Sequence, residues 1–267
     1  MITPNAAVAA CTRAAEEFAA DHEWQPAVQY TVRALIDRLA AAHGLPLSGL
    51  EYPQNPAASA ALDVMGPLEG WHVLDIGEVH QRLLQLTPVR NADGRVATKR
   101  AGLAKRGEQG SWYTPPELAK QMCRLTIGPQ LDRLARHPDP ENVLQVMAMD
   151  PACGAGVFLV EAARLIAERF ALRLFGTAPE AAVKAVIPAV LEECIFGVDI
   201  DPVAIDLAKA ALWLETEGRV PFSFMDRNVI VGNALNDEMP PAFSERRGEP
   251  VDDEERRKMY DETRPAA

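Results

Sequence analysis

Cysteine, tryptophan and tyrosine are scarce, four of each in 267 residues. The cysteines at 11, 123, 153 and 194 have no close pairing and no metal-ligand spacing. That argues against a disulfide framework or a structural metal site and fits a reducing cytosol. No apolar run reaches membrane-spanning length. The first twenty residues carry Glu16 and Glu17 and no basic segment ahead of an apolar core, so they do not read as a signal peptide. Positive charge is also short. Twenty-seven Lys and Arg face 38 Asp and Glu, for a net charge of −11. Such a chain is a poor DNA-binding surface as a whole, and a nucleic-acid substrate would have to be gripped mostly by something else. What is present is ordinary for a globular protein: 48% hydrophobic and 24% charged residues. That excludes disorder throughout, collagen and coiled coil, and the length suits one large domain or two small ones.

There is no internal repeat, and the chain divides into three parts. Residues 1–107 are mostly helical. A helix is expected over 4–20 with Thr3 as its cap. A second over 26–43 sets Val28, Val32, Leu35, Leu39 and Ala42 on one face and ends at Gly44. Residues 46–56 read as a Pro-punctuated loop, and 77–86 as a short helix facing inward through Val79, Leu83 and Leu86. Residues 81–107 hold seven basic side chains, at 82, 90, 95, 99, 100, 105 and 106, against Asp93 alone. This is either a phosphate-contacting loop or a solvated linker. Over 108–236, short apolar runs (143–149, 194–198, 229–231) alternate with helical patterns (157–174, 179–193, 202–217). That alternation predicts a parallel sheet with helical crossovers. The tail, 237–267, is polar, lacks periodicity, and is expected to be loop or disordered.

The chemistry concentrates in 149–158, Met-Asp-Pro-Ala-Cys-Gly-Ala-Gly-Val-Phe. It follows a strand and opens a helix, where small residues let a ligand approach free backbone N–H groups. Leu159 stands where the third glycine of a dinucleotide fingerprint would fall, which disfavours NAD, and no Gly-Lys-Ser/Thr follows, which excludes a P-loop. Asp150 at a strand end suits a cationic or hydroxyl-bearing ligand. In Gly197-Val198-Asp199-Ile200-Asp201-Pro202, Asp199 can accept from ribose hydroxyls, while Asp201 reads as the N-cap of a helix begun by Pro202. Thr114 and Glu117, around Pro115, read as a capping box. Asn233, after a short strand, is either an adenine-edge ligand or only part of a turn.

In this order the four segments resemble the S-adenosylmethionine-dependent adenine-N6 DNA methyltransferases, in particular the large enzymes of restriction–modification and phage-defence systems. The resemblance spans roughly 75–236. It rests on Asp-Pro-Ala-Cys-Gly-Ala-Gly-Val-Phe-Leu, Tyr113-Thr114-Pro115, Gly-Val-Asp-Ile-Asp-Pro and Gly232-Asn233-Ala234-Leu235, with Ile76 to Leu84 similar to an upstream helix. It implies an α/β, Rossmann-like methyltransferase fold with an incomplete parallel sheet and a mostly helical N-terminal region, and a cytoplasmic protein. It also implies S-adenosylmethionine as cofactor. Tyr113, Thr114 and Pro115 would lie along the methionine. Asp150, Ala152, Gly154 and Gly156 would form the turn beneath the cofactor, with Phe158 at its base. Asp199 would hold the ribose, Ile200 would pack on adenine, and Asn233 with Ala234 would meet the adenine edge.

The family's catalytic Asn/Asp-Pro-Pro-Tyr/Phe has no counterpart. That motif holds a flipped adenine by its N6 amine and an aromatic stack. In Glu238-Met239-Pro240-Pro241-Ala242-Phe243, Met239 replaces the acceptor and Ala242 the aromatic, so the segment reads as a loop Pro-Pro. No residue is therefore assigned as catalytic, and no metal site is expected. The expectation is a cofactor-binding portion that is inactive alone. A second polypeptide would supply the catalytic motif, and DNA would be engaged through a recognition domain carried elsewhere. The alternatives are a non-catalytic binding module or a relic.

Overall fold

The computed structural model describes residues 4–45, 47–100, 114–236 and 238–247. Its N-terminal part is four helices: α1 (Pro4–Phe18), α2 (Trp24–Ala42), α3 (Pro56–Asp63) and α4 (Val73–Leu84). The expected face of α2 is the buried one, through Val28, Val32, Leu35 and Leu39. Gly44 follows it at φ +67, the left-handed turn that glycine takes without strain. Pro56 starts α3, with Asn55 capping the Ala58 N–H. The expected helix at 77–86 starts earlier, at Val73, where Asp75 accepts the His72 N–H at 2.7 Å. It buries Val79 and Leu83, but Leu86 leaves it for a strand.

That strand, β1 (Leu86–Arg90), pairs antiparallel with β2 (Val96–Arg100). Over 86–100 the basic stretch is thus neither loop nor linker but a hairpin. Gly94, at φ +83, closes its turn. Asp93-Gly94 between Val89 and Val96 is the sequence signal for it. The hairpin docks on α1: Thr98 Oγ1 donates to Glu16 at 2.8 Å, and Arg90 donates to the carbonyls of Ala19 and Ala20. Arg82 belongs to α4, paired with Glu78, and Lys105 and Arg106 lie outside the described residues.

The remainder runs α5 (Pro116–Thr126), α6 (Gly128–Leu134), β3 (Ala148–Asp150), α7 (Val157–Phe175), α8 (Glu180–Cys194), β4 (Ile195–Asp199), α9 (Pro202–Glu215), β5 (Val229–Val231) and α10 (Pro241–Arg247). The strands form a parallel sheet in the order β3-β4-β5. The chain is therefore mixed α/β. The expected strand over 143–149 is shorter than its apolar run. Pro140–Gln145 turns as a 3-10 helix, capped by Asp139 on the Glu141 N–H, and buries Val143 without a partner strand. Pro241–Arg247 is helical where a loop is expected, because Pro241 suits a first helical position and the Phe243 ring meets Phe196 edge-on at 5.3 Å.

Helix α7 lies against β3 and β4, α9 against β4 and β5, and α5 packs on the other flank of α7. Helix α9 is apolar on two sides because it serves two cores. Val203, Leu207, Ala210 and Trp213 join the N-terminal helices, while Ile205, Ala208 and Leu212 join α7, α8 and the sheet. No single helix among the described residues is long and apolar enough to cross a membrane.

One ion pair locks α9 to α2. Arg33 grips the buried Asp206 carboxylate through two nitrogens, at 2.7 and 3.2 Å, and Gln29 adds a third bond at 3.2 Å. Arg33→Ala strands that carboxylate. It is expected to cost about 3 kcal/mol, read by urea denaturation. Arg33→Met with Asp206→Leu should cost far less, because no buried charge is left behind. Equal losses in the single and double variants would sink this account.

Candidate cofactor site

Chain direction puts the C-terminal ends of β3, β4 and β5 side by side, where open parallel sheets take their ligands. β3 ends at Asp150, whose Oδ1 accepts the Ala152 N–H at 3.1 Å and so starts the turn. The Cys153 N–H donates to the Val198 carbonyl at 3.0 Å and ties the turn to β4. Gly154 (φ +54) and Gly156 (φ +83) take left-handed conformations, and α7 begins at the next residue. A Cβ on Gly156 would stand 3.0 Å from both Cα and Cβ of Ala208, so this glycine is what lets the turn sit on α9. A Cβ on Gly197 would stand 2.8 Å from Leu159 Cδ1. Leu159, at the position of a third glycine, thus fills the space that Gly197 leaves empty.

Asp199 ends β4 and joins the pieces. Its Oδ2 accepts the Gly154 N–H and its Oδ1 the Asp201 N–H, both at 2.9 Å. Asp201 caps α9 as the sequence indicates, accepting the Val203 N–H at 2.9 Å. The Gly232 N–H donates to the Asp199 carbonyl at 2.9 Å and brings in the end of β5. Asn233 Oδ1 accepts the Leu235 N–H at 3.0 Å, and the Asn233 N–H is held by Glu238. Ala234 is half-buried in the same turn. Asn228 is occupied by the backbone instead, donating to the carbonyls of Leu191, Glu192 and Ile195 where α8 ends.

Three large apolar side chains lie open at this edge: Ile200 at 73% exposure, Val231 at 52% and Leu235 at 94%. The sequence singled out Ile200. Leu235 belongs to the Gly232–Leu235 segment but has no role assigned from sequence, and Val231 is read there only as strand. Phe158 packs half-buried against the core beside Cys123. Ala152 is exposed in the turn.

The upstream segment differs from expectation. Tyr113 lies outside the described residues. Thr114 makes no capping box with Glu117. The N-cap of α5 is Pro115, and no side chain caps it. Two successive prolines hold both Thr114 and Pro115 extended, so the helix cannot start before Pro116. No hydrogen bond or ion pair among the described residues ties the side chains of Thr114 or Pro115 to the turn. Asp150, Ala152, Gly154, Gly156, Asp199, Ile200, Asn233 and Ala234 are the residues brought together.

Two carboxylates on neighbouring strand ends set the electrostatics. Burial pushes the Asp150 carboxyl up; the Ala152 N–H works against this and the Asp199 charge adds to it. Asp150 therefore holds its proton more tightly folded than unfolded. Its contribution to stability is full below the ordinary carboxylate range and is lost as pH rises through the raised value. Asp150→Asn cannot ionise and keeps an oxygen for the Ala152 N–H. It should melt above wild type at pH 7 and level with it at acid pH. A Tm difference that ignores pH would refute this. All four cysteines are free and buried, and burial pushes their thiols up, which favours the neutral thiol.

Neither a curated protein nor a solved structure matches the chain. The family model described as N-6 DNA Methylase matches residues 99–239, more than half of it. That segment runs from the end of the hairpin through the whole three-stranded sheet and the turns at the ends of its strands, and on this match the chain belongs to the N-6 DNA methylase family.

Proposed function

We propose that the chain is the cofactor-binding portion of a site-specific adenine-N6 DNA methyltransferase with a Rossmann-like sheet. The cofactor would be S-adenosylmethionine, held across the ends of β3, β4 and β5. One observation carries this reading: Asp199 gathers the glycine turn and the start of α9 while leaving acceptor capacity toward an edge where Ile200 is open. The residues fit the group. Paired carboxylates favour a sulfonium, an ammonium and ribose hydroxyls and disfavour a triphosphate. Gly154 and Gly156 bring backbone close, and Ile200, with Ala234 and Leu235, offers an apolar seat for a purine. When bound, the cofactor would supply a sulfonium methyl for adenine N6 and leave as the neutral thioether, the N6 proton passing to the groups that hold the flipped base. Asp150 and Asp199 would orient it, and the first N–H groups of α7 would be available to its polar end. On this reading Tyr113, Thr114 and Pro115 line the methionine side, and the protein works in the cytoplasm, where its four unpaired thiols persist.

The groups that hold a flipped adenine are to come from further strands, on a continuation of this chain or on a second polypeptide. The outer edge of β3 has no strand partner among the described residues. Helix α5, packed on α7, exposes Leu118, Met122 and Leu125, one stripe at helical spacing. With a net charge of −11, sequence-specific DNA contacts are assigned to a recognition domain elsewhere. A second reading, a binding module that transfers no methyl, is favoured by Phe243, which packs on Phe196 and so is not free to stack on a base.

Equilibrium binding of labelled S-adenosylmethionine to the purified chain tests the proposal. Saturable binding at micromolar concentration is expected, with no methyl transfer to DNA by the chain alone. A folded chain that binds none overturns it. Binding without transfer, even when the strands bearing Asn-Pro-Pro-Tyr/Phe are supplied, selects the second reading.

A further inference from the structure

Outside the family-matched segment, α4 touches the site twice. Gly77 faces Ala155 of the glycine turn, a Cβ there lying 3.5 Å from that of Ala155. One turn on, the His80 ring reaches Asp201, with Nε2 3.3 Å from Oδ2. His80 is 5% exposed, and its Nε2 makes no aligned hydrogen bond to any group among the described residues. The Asp201 carboxylate is the charge it faces. A buried ring nitrogen left without an acceptor is costly, so this contact has a direction: imidazole N–H toward carboxylate. The other carboxylate nearby on α9, Asp206, is taken by Arg33 and Gln29.

From Asp201 the link continues by bonds already described. Its backbone N–H is on Asp199 Oδ1, and Asp199 Oδ2 is on the Gly154 N–H. Burial pushes the Asp201 carboxyl up, yet His80 and the N–H groups of Val203 and Ala204 outweigh it and hold it below the usual range. The Asp201 carboxyl is therefore held toward its charged form.

We propose that His80 is a positioning residue for the cofactor site: from the N-terminal helices it holds Asp201 in place and thereby keeps Asp199 aimed at the Gly154 turn. The inference rests on reading Asp199 and that turn as the cofactor site. Helix α4 then belongs to the working site although it lies before the matched segment, residues 99–239.

Two readouts on the full chain test this, amide hydrogen exchange at Gly154 and Asp201 and the Kd for labelled S-adenosylmethionine. His80→Leu keeps the bulk and removes the donor. It should speed exchange at both amides about tenfold and weaken Kd about tenfold. His80→Gln, which returns an N–H near the same place, should recover most of both. Asp201→Asn keeps the cap oxygen for Val203 and removes the charge. It should match His80→Leu, and the double variant should be no worse than either single. If His80→Leu fails to fold, Asp201→Asn still reports the link from its other end. Unchanged exchange at Gly154 in Asp201→Asn, or equal impairment by Leu and Gln at position 80, overturns the inference and leaves His80 as packing. A wild-type chain that binds no cofactor defeats the reading of the site, while the exchange comparison still decides the His80 link.

Discussion

Gly156→Ala is expected to destabilise the protein by about 2–5 kcal/mol and to remove cofactor binding. Two costs combine. The residue sits at φ +83, where any side chain strains the backbone by about 1–2 kcal/mol. The new methyl would also stand 3.0 Å from Ala208 Cα and Cβ, in a region without slack, at about 1–3 kcal/mol. Ala208 is fully buried in α9, so it cannot swing aside as a side-chain tip would. Relief requires α9 to shift, and α9 carries Asp201 and, through it, Asp199. Gly154→Ala is the control. Its φ is +54, but nothing lies within 4 Å of the added carbon. Only the conformational cost remains, about 1 kcal/mol. Thermal unfolding of the two variants should separate clearly, and equal shifts in Tm would contradict the close approach of turn and helix.

Asp199→Ala is expected to weaken S-adenosylmethionine binding at least about 100-fold. Its carboxylate takes two backbone N–H groups, at 2.9 Å each, and charge-assisted bonds of that kind are worth about 1.5–3 kcal/mol apiece. Removing it frees the Gly154 turn and the Asp201 backbone together and deletes the acceptor proposed for the ribose. Asp199→Asn should fall between, since an amide offers one acceptor oxygen for two donors and turns an NH2 toward the other. Removing the Asp199 charge should also lower the Asp150 carboxyl, because that charge is one of the causes holding it up. Titration of Asp150 by NMR in the two proteins checks this, and an unchanged Asp150 would mean the carboxylates do not sense each other.

Much of the site follows from short-range rules and was readable. Asp201-Pro202 states a cap and a first turn, and Asp201 does cap α9. The glycines at 154 and 156 state a turn that needs left-handed backbone, and both adopt it. The same rules account for two places where the structure differs from the expected pattern. Pro116 disfavours a helical Pro115, which moves the cap from Thr114 to Pro115, and Asp93-Gly94 between valines announces the hairpin. The apolar run at 143–149 is only partly strand, because hydrophobicity reports burial rather than extension. Pro140 and the Asp139 cap turn the chain there, and only Ala148–Asp150 remains extended in the sheet.

By itself, then, the sequence determined the parallel alternation of strands and helices, the glycine turn, the capped start of α9 and the acidic strand end. Each depends on the dihedral limits and hydrogen bonds of residues close in the chain. Tertiary structure alone decided which distant groups share that site. His80 and Asp201 are far apart in sequence and meet because α9 is apolar on two sides, serving the N-terminal core on one and the sheet on the other. Arg33 on Asp206 and Phe243 on Phe196 have the same origin. A pairing of this kind leaves no local pattern. It is set by how two packed layers fit around one helix, and that fit exists only once the chain has folded.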